Sequence, residues 1–161
     1  MAAYTLDGLR QLLQRVVRSG TFTRHLEAVR IVSAGEGKCT AEVTVNDNLL
    51  NNLGTMQGCF SASLVDVVST CALLTLRDVR NVSVDMNLSY VDKAVLGDTV
   101  LVEATTTKLG SSTAFLTVDI RNKKTGRLLV KGLHTKHLLN TMDYLGNKLE
   151  SGATSSSTSK A

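Results

Sequence analysis

The sequence predicts an α+β fold: an antiparallel sheet wrapped around one central buried helix, with an amphipathic helix at the N-terminus. Three observations carry this expectation. The segment from Thr55 to Leu76 distributes Phe60, Leu64, Val65, Val67, Val68, Cys71, Leu73 and Leu74 around most of a helical circumference, and a helix apolar nearly all round is buried. Segments of two-residue alternation lie on both sides of it. The later ones follow one another through short connections, which implies an antiparallel meander.

The first element is an amphipathic helix: Leu6, Leu9, Leu13, Val16 and Val17 recur at helical spacing, and Ser19-Gly20 stops it. The same stretch also suits an Arg-bearing organelle presequence, Asp7 being its one acidic residue. From Lys38 to Val45, Cys39, Ala41, Val43 and Val45 share one face of a half-buried strand. Val29 to Val32 is its partner, joined through the turn Gly35-Glu36-Gly37. After the central helix, Val82, Val84, Met86, Leu88 and Tyr90 alternate with Ser83, Asp85, Asn87 and Ser89. Further strands are expected after Gly97-Asp98, from Thr113 to Arg121, and from Arg127 to about Leu139. The core domain is thus 1–140, and 141–161 reads as a Ser/Thr-rich disordered tail.

With 161 residues, 43% hydrophobic and 20% charged, the chain suits one core, and no apolar run reaches a membrane span. The net charge of +4 is spread along the chain and there is no Trp, so nucleic-acid binding is poorly supported. Cys39, Cys59 and Cys71 lack C-x-x-C spacing, which argues against a disulfide framework and for a reducing, intracellular compartment. His134 and His137 fall on opposite faces of a strand and make no simple metal-chelating pair. The last residues, Ser159-Lys160-Ala161, loosely resemble a peroxisomal address, so cytoplasmic, mitochondrial and peroxisomal locations stay open.

Asp66 is the only charge in the central helical segment. A carboxylate buried without a partner costs several kcal/mol, which suggests a function; the alternative is a structural salt bridge. At the start of the same helix, Gln57-Gly58-Cys59 puts a glycine where free N–H groups and the positive end of the helix dipole emerge. Such donors stabilise the oxyanion of acyl transfer; the alternative is a glycine needed for packing or a turn. Gly58 and Asp66 are roughly 12 Å apart along one helix, too far for one carbonyl to touch both. If they serve one reaction, Asp66 comes from a second subunit and the protein is at least a dimer.

Four stretches together, Asn51-Asn52-Leu53-Gly54-Thr55-Met56-Gln57-Gly58-Cys59, Leu64-Val65-Asp66, Val82-Ser83-Val84-Asp85-Met86-Asn87 and Gly132-Leu133-His134-Thr135-Lys136-His137, closely resemble the hotdog-fold acyl-CoA thioesterases of the phenylacetate-pathway type. The similarity is greatest to the mitochondria-associated thioesterase superfamily subgroup of animals, and it covers about residues 5 to 140. It implies the hotdog fold, a homotetramer built as a dimer of dimers, and hydrolysis of medium- or long-chain fatty acyl-CoA to free acid and CoA. No cofactor is implied, CoA being part of the substrate. In the implied site the Gly58 N–H polarises the thioester carbonyl, Asp66 of the facing subunit is general base or nucleophile, and Ser83 and Asn51 position water or substrate. Tyr90, the loop residues Lys108, Gly110, Ser111, Ser112 and Thr113, and His137 would contact CoA. Composition alone also fits that loop to an ordinary polar hairpin.

The family usually has His-Gly-Gly where this chain has Gln57-Gly58-Cys59. Gln57 can replace hydrogen bonds of an imidazole but not its titration near neutral pH. That substitution keeps alive a non-catalytic acyl-CoA binder or scaffold. Hydration or dehydration of an acyl chain is a further rival; it requires an acid–base pair, and His25, His134 and His137 all lie away from the Asp66 helix in sequence.

Overall fold

A computed structural model describes residues 3–149. Helix α1 (Leu6–Arg18) starts where the Thr5 hydroxyl accepts the Gly8 N–H at 3.2 Å, and it buries Leu9, Leu12 and Leu13 against the domain. The expected amphipathic helix is therefore present and packed. A 3-10 turn (Phe22–Leu26) leads to β1 (Arg30–Gly35) and β2 (Lys38–Thr44), joined by the expected tight turn, in which Glu36 and Gly37 take left-handed backbone angles. Helix α2 (Gly58–Leu74) follows, and then β3 (Arg80–Tyr90), β4 (Thr99–Leu109), β5 (Thr113–Asn122) and β6 (Leu128–Leu139).

All six strands form one antiparallel sheet in the order β1-β2-β4-β5-β6-β3. Only β4-β5-β6 is a meander. The sheet-wide meander expected after α2 is corrected by β3, which pairs with β6 at the far edge and not with β4. The link from Val91 to Asp98 crosses below the start of α2, where Met56 N–H bonds the Ala94 carbonyl at 2.9 Å and Val45 N–H bonds Asp98 at 2.8 Å. These bonds tie the link to the far side of the sheet, so β4 lands beside β2.

The sheet buries one face on α2 through Cys39, Ala41 and Val43 of β2, Val100, Val102 and Ala104 of β4, and Leu116, Val118 and Ile120 of β5. Helix and sheet approach closely at Gly132 of β6, where an added Cβ would stand 2.9 Å from Cγ1 of Val65. The helix is less enclosed than its composition suggests. Cys59 is exposed and Ala62, Ser63, Asp66 and Val67 are half-buried, an open stripe along one side.

Beyond β6, the chain turns through residues 141–149, with Arg80 N–H bonding the Met142 carbonyl at 3.0 Å. The rest of the expected tail, with its C-terminal tripeptide, lies outside the described residues. Among the described residues no helix is long and apolar enough to cross a membrane.

Gly132→Ala should destabilise the fold by about 1–3 kcal/mol through overpacking against Val65. Urea titration, read as a lower midpoint at unchanged slope, measures it; an unchanged midpoint would mean that α2 does not seat on β6 at this point.

Candidate active site

The site is built where α2 crosses β6. Because α2 seats on Gly132, the next two residues on the same face of β6, His134 and Lys136, come up beside Asp66 and Ser69. Neighbouring β3 contributes Ser83 through a β-bulge between Ser83 and Asp85. Ser83 pairs with Lys136 and Met86 with His134, so Ser83 shares the helix-facing side with Met86, Leu88 and Tyr90. This corrects the uninterrupted alternation expected for β3, which grouped Val82 and Val84 with Met86. One extra residue in the strand turns Ser83 inward and leaves Val82 and Val84 exposed.

Around Asp66 the Lys136 ammonium stands 3.2 Å from Oδ1, Ser83 Oγ 3.5 Å and His134 Nε2 3.9 Å. Lys136 also reaches Ser83 Oγ at 3.4 Å. His134 bridges two hydroxyls, with Nδ1 2.8 Å from Ser69 Oγ and Nε2 2.9 Å from Ser83 Oγ. The Ser69 hydroxyl donates to the Asp66 carbonyl at 3.1 Å, so it accepts from Nδ1–H. That assigns the lone pair of the imidazole to Nε2, where it receives the Ser83 hydroxyl proton.

The electrostatics are uneven. The His134 side chain is fully buried, and burial, helped by the neighbouring Lys136 cation and opposed by Asp66, pushes its pKa down to about 4. Lys136, with 4% of its side chain exposed, is also pushed down from the ordinary lysine value by burial, while Asp66 pulls it back up. The carboxylate itself is 48% exposed in the single chain. The buried, unpaired carboxylate expected from sequence is thus corrected twice over: Asp66 lies on the open stripe of α2, and it has a cation from β6. Sequence reasoning alone does not single out His134 or Lys136 as site residues, both being distant from Asp66 along the chain. Their signal was a His and a Lys on the inward face of an otherwise apolar strand, a costly placement without partners.

At the other end of α2, Gln57 caps the helix by backbone only, its side chain making no cap bond, and the Phe60 and Ser61 N–H groups return to its carbonyl. The N–H groups of Gly58 and Cys59 have no carbonyl one turn back within the helix. Tyr90 packs here, its ring 3.4 Å from where a Gly58 Cβ would be and its hydroxyl donating to the Gly58 carbonyl at 3.1 Å. Asn51 is occupied locally: its Oδ1 accepts from Leu53 and Thr55 N–H at 2.9 and 3.1 Å, and its Nδ2 donates to Thr55 Oγ1. It holds the loop that leads into α2.

The loop residues Lys108, Gly110, Ser111, Ser112 and Thr113 form the β4–β5 turn, and His137 is the register partner of Thr113. Lys108, Ser111, Ser112 and His137 are exposed. The Gly110 N–H donates to the Thr113 carbonyl at 2.8 Å and closes the turn. His137 faces Val82 across β3, eight residues from Tyr90 and so roughly 26 Å along the strand. Within one chain the site residues therefore fall into three groups: Gly58 with Gln57 and Tyr90, Asp66 with Ser83, and the turn with His137.

Comparison with known proteins identifies the family and the fold. Residues 53–129 match the model of the thioesterase superfamily. Human acyl-coenzyme A thioesterase 13 is 42% identical over 135 residues, 83% of this chain and 96% of that protein. The crystal structure of zebrafish thioesterase superfamily member 2 superposes with a TM-score of 0.82 at 39% identity, covering 84% of this chain and 99% of that one. The PaaI protein of the Escherichia coli phenylacetic acid degradation operon shares the fold, with a TM-score of 0.70 at 18% identity over 84% of this chain and 96% of its own.

His134 should remain neutral down to about pH 4, and Lys136→Met should raise its midpoint by removing a neighbouring cation; imidazole NMR titration reads both. Since the unfolded chain takes up this proton near pH 6.5 and the folded chain does not, stability should fall as pH drops from about 6.5 toward 4. A His134 midpoint near 6.5 in the folded protein would sink this account.

Proposed function

The chain belongs to the thioesterase superfamily and is a thioester hydrolase, and we propose that it hydrolyses medium- or long-chain fatty acyl-CoA to free acid and CoA. The observation that carries this is the cluster of Asp66, Ser83, Lys136 and His134, held half a helix away from the free N–H groups at Gly58. The thioester carbonyl sits on the Gly58 N–H of one subunit, and its carbon faces Asp66 of the other. Asp66 either takes a proton from the attacking water or attacks directly to form an anhydride that water then opens. In both cases the developing oxyanion lies at the positive end of α2, the C–S bond breaks, and CoA leaves as the thiolate to be protonated. No metal or cofactor enters. Ser83 orients the water, with its own proton turned toward His134, and Lys136 holds the Asp66 carboxylate in position. Asn51 acts by fixing the loop beneath Gly58, and Gln57 offers an amide to the same region.

A composite site is favoured because Gly58 and Asp66 lie roughly 12 Å apart on one continuous helix. Strand β3 supports the pairing of two chains. It is an edge strand of 11 residues with Val82, Val84, Met86 and Tyr90 all exposed, and an uncovered apolar edge of that length favours a partner. Two such dimers would make the homotetramer. Tyr90 of one subunit and the Lys108–Thr113 turn with His137 of another would then hold opposite ends of CoA. Cys39, Cys59 and Cys71 are all free thiols, in keeping with a reducing intracellular compartment.

Asp66→Asn should lower kcat for acyl-CoA at least about 100-fold, the usual loss for a general base, with folding checked by circular dichroism. CoA release followed with a thiol-trapping reagent measures it. Saturable acyl-CoA binding by a well-folded wild type without turnover would instead identify a binder, the outcome that Gln57 in place of an imidazole favours.

A further inference from the structure

A cavity of about 260 Å³ opens beside Asp66, between α2 and the buried face of α1. Its near end is polar, formed by Asp66, Ser83 and Lys136. Leu74 and Tyr144 line it at the C-terminal end of α2, and Leu12, Leu13 and Val16 line it from α1. Leu74 is eight residues beyond Asp66 on the same helix, so the cavity follows α2 for roughly 12 Å. A larger cavity of about 700 Å³, between α1 and β1, has none of the Asp66 cluster in its lining and carries Arg10, Arg18 and Arg30 instead.

Tyr144 belongs to no strand or helix, yet it is held firmly. Its backbone N–H bonds Asp78 Oδ1 at 2.9 Å, and the flanking turn is closed by Asp143 accepting from Asn147. The side chain packs against the main core, and burial raises its hydroxyl to about 12, so the ring stays neutral. Its anchor, Asp78, lies just past the C-terminus of α2, which puts Tyr144 at the Leu74 end of the cavity.

Size follows from two rough measures. At about 30 Å³ for a water-sized group, 260 Å³ holds about nine such groups. An extended chain advances about 1.2 Å per bond, as an extended peptide does over its three backbone bonds, so 12 Å accommodates about ten bonds.

We propose that this cavity receives the acyl chain, that the Tyr144 ring is its end stop, and that the enzyme therefore selects medium-chain acyl groups of about eight to ten carbons. The thioester lies at the polar end beside Asp66, and the methyl terminus lies against Tyr144 and Leu74. Those walls bear no charge, so the chain must be unsubstituted at its far end. The α1 helix thereby acquires a specificity role as the outer wall. This rests on the acyl-CoA hydrolysis proposed above and sharpens its substrate class.

The test is kcat/KM over saturated acyl-CoAs from acetyl to stearoyl for wild type, Tyr144→Ala, Tyr144→Phe and Val16→Phe, together with calorimetric binding of the non-hydrolysable thioethers S-octyl-CoA and S-hexadecyl-CoA. Wild type should peak at octanoyl- to decanoyl-CoA. Tyr144→Ala should shift the peak to longer chains, with palmitoyl-CoA gaining about tenfold or more over octanoyl-CoA, the effect of burying about two further methylenes. Tyr144→Phe should keep the wild-type profile, and Val16→Phe should shorten it, so one misfolded variant leaves the test intact. A wild-type peak at palmitoyl-CoA, or identical length profiles for wild type and Tyr144→Ala, overturns the end stop. If no thioester is turned over, hydrolysis of acyl-CoA fails as the function, while the two thioethers still decide the cavity. Preference for the octyl compound, relieved by Tyr144→Ala, upholds it, and equal affinities overturn it.

Discussion

Everything at this site depends on how closely α2 lies on β6. At Gly132 the strand has no side chain, and Val65 fills the space where one would be. The helix consequently sits low enough for the next inward residues of β6, His134 and Lys136, to reach Ser69 and Asp66. A side chain at 132 would lift the helix off the strand and weaken several interactions together, because packed interiors deform little and transmit displacement. A packing contact between two apolar elements thus sets the distance between the polar groups of the cluster.

The polar cluster is stable because its charges are unequal and arranged in order of burial. Asp66 keeps contact with solvent along the open stripe of α2, Lys136 is nearly enclosed but opposite the carboxylate, and the most deeply buried member, His134, is neutral. Two buried cations side by side would be costly, and the neutral imidazole avoids that cost while it fixes the direction of the Ser83 proton. One half-exposed anion, one buried cation and one neutral relay form an arrangement in which Asp66 stays available to water or substrate.

The single chain also leaves surface uncovered beside the cluster. The open stripe of α2 and the exposed faces of β3 adjoin the cluster and the helix N-terminus, the two halves of the proposed site. The opposite end of the sheet carries ordinary surface ion pairs, such as Glu42 with Arg30 and Lys123.

The sequence by itself determined the elements and much of their burial. The even apolar girth of 58–74 marked the central helix, the alternation of Cys39, Ala41 and Val43 marked an inward strand face, and Gly58 and Asp66 stood out because a glycine at a helix start and a charge on an apolar helix are local signals. What only the tertiary structure decided was who meets whom. The strand order placing β3 beside β6, the bulge turning Ser83 inward, and the arrival of Lys136, His134 and Tyr144 around Asp66 all arise from backbone pairing and packing, and Ser83, His134, Lys136 and Tyr144 lie 17 to 78 positions from Asp66 along the chain. A sequence pattern records the face on which a side chain lies, since that follows from the local helical or strand period. It does not record the neighbour across that face, which depends on register and on how closely two elements can approach.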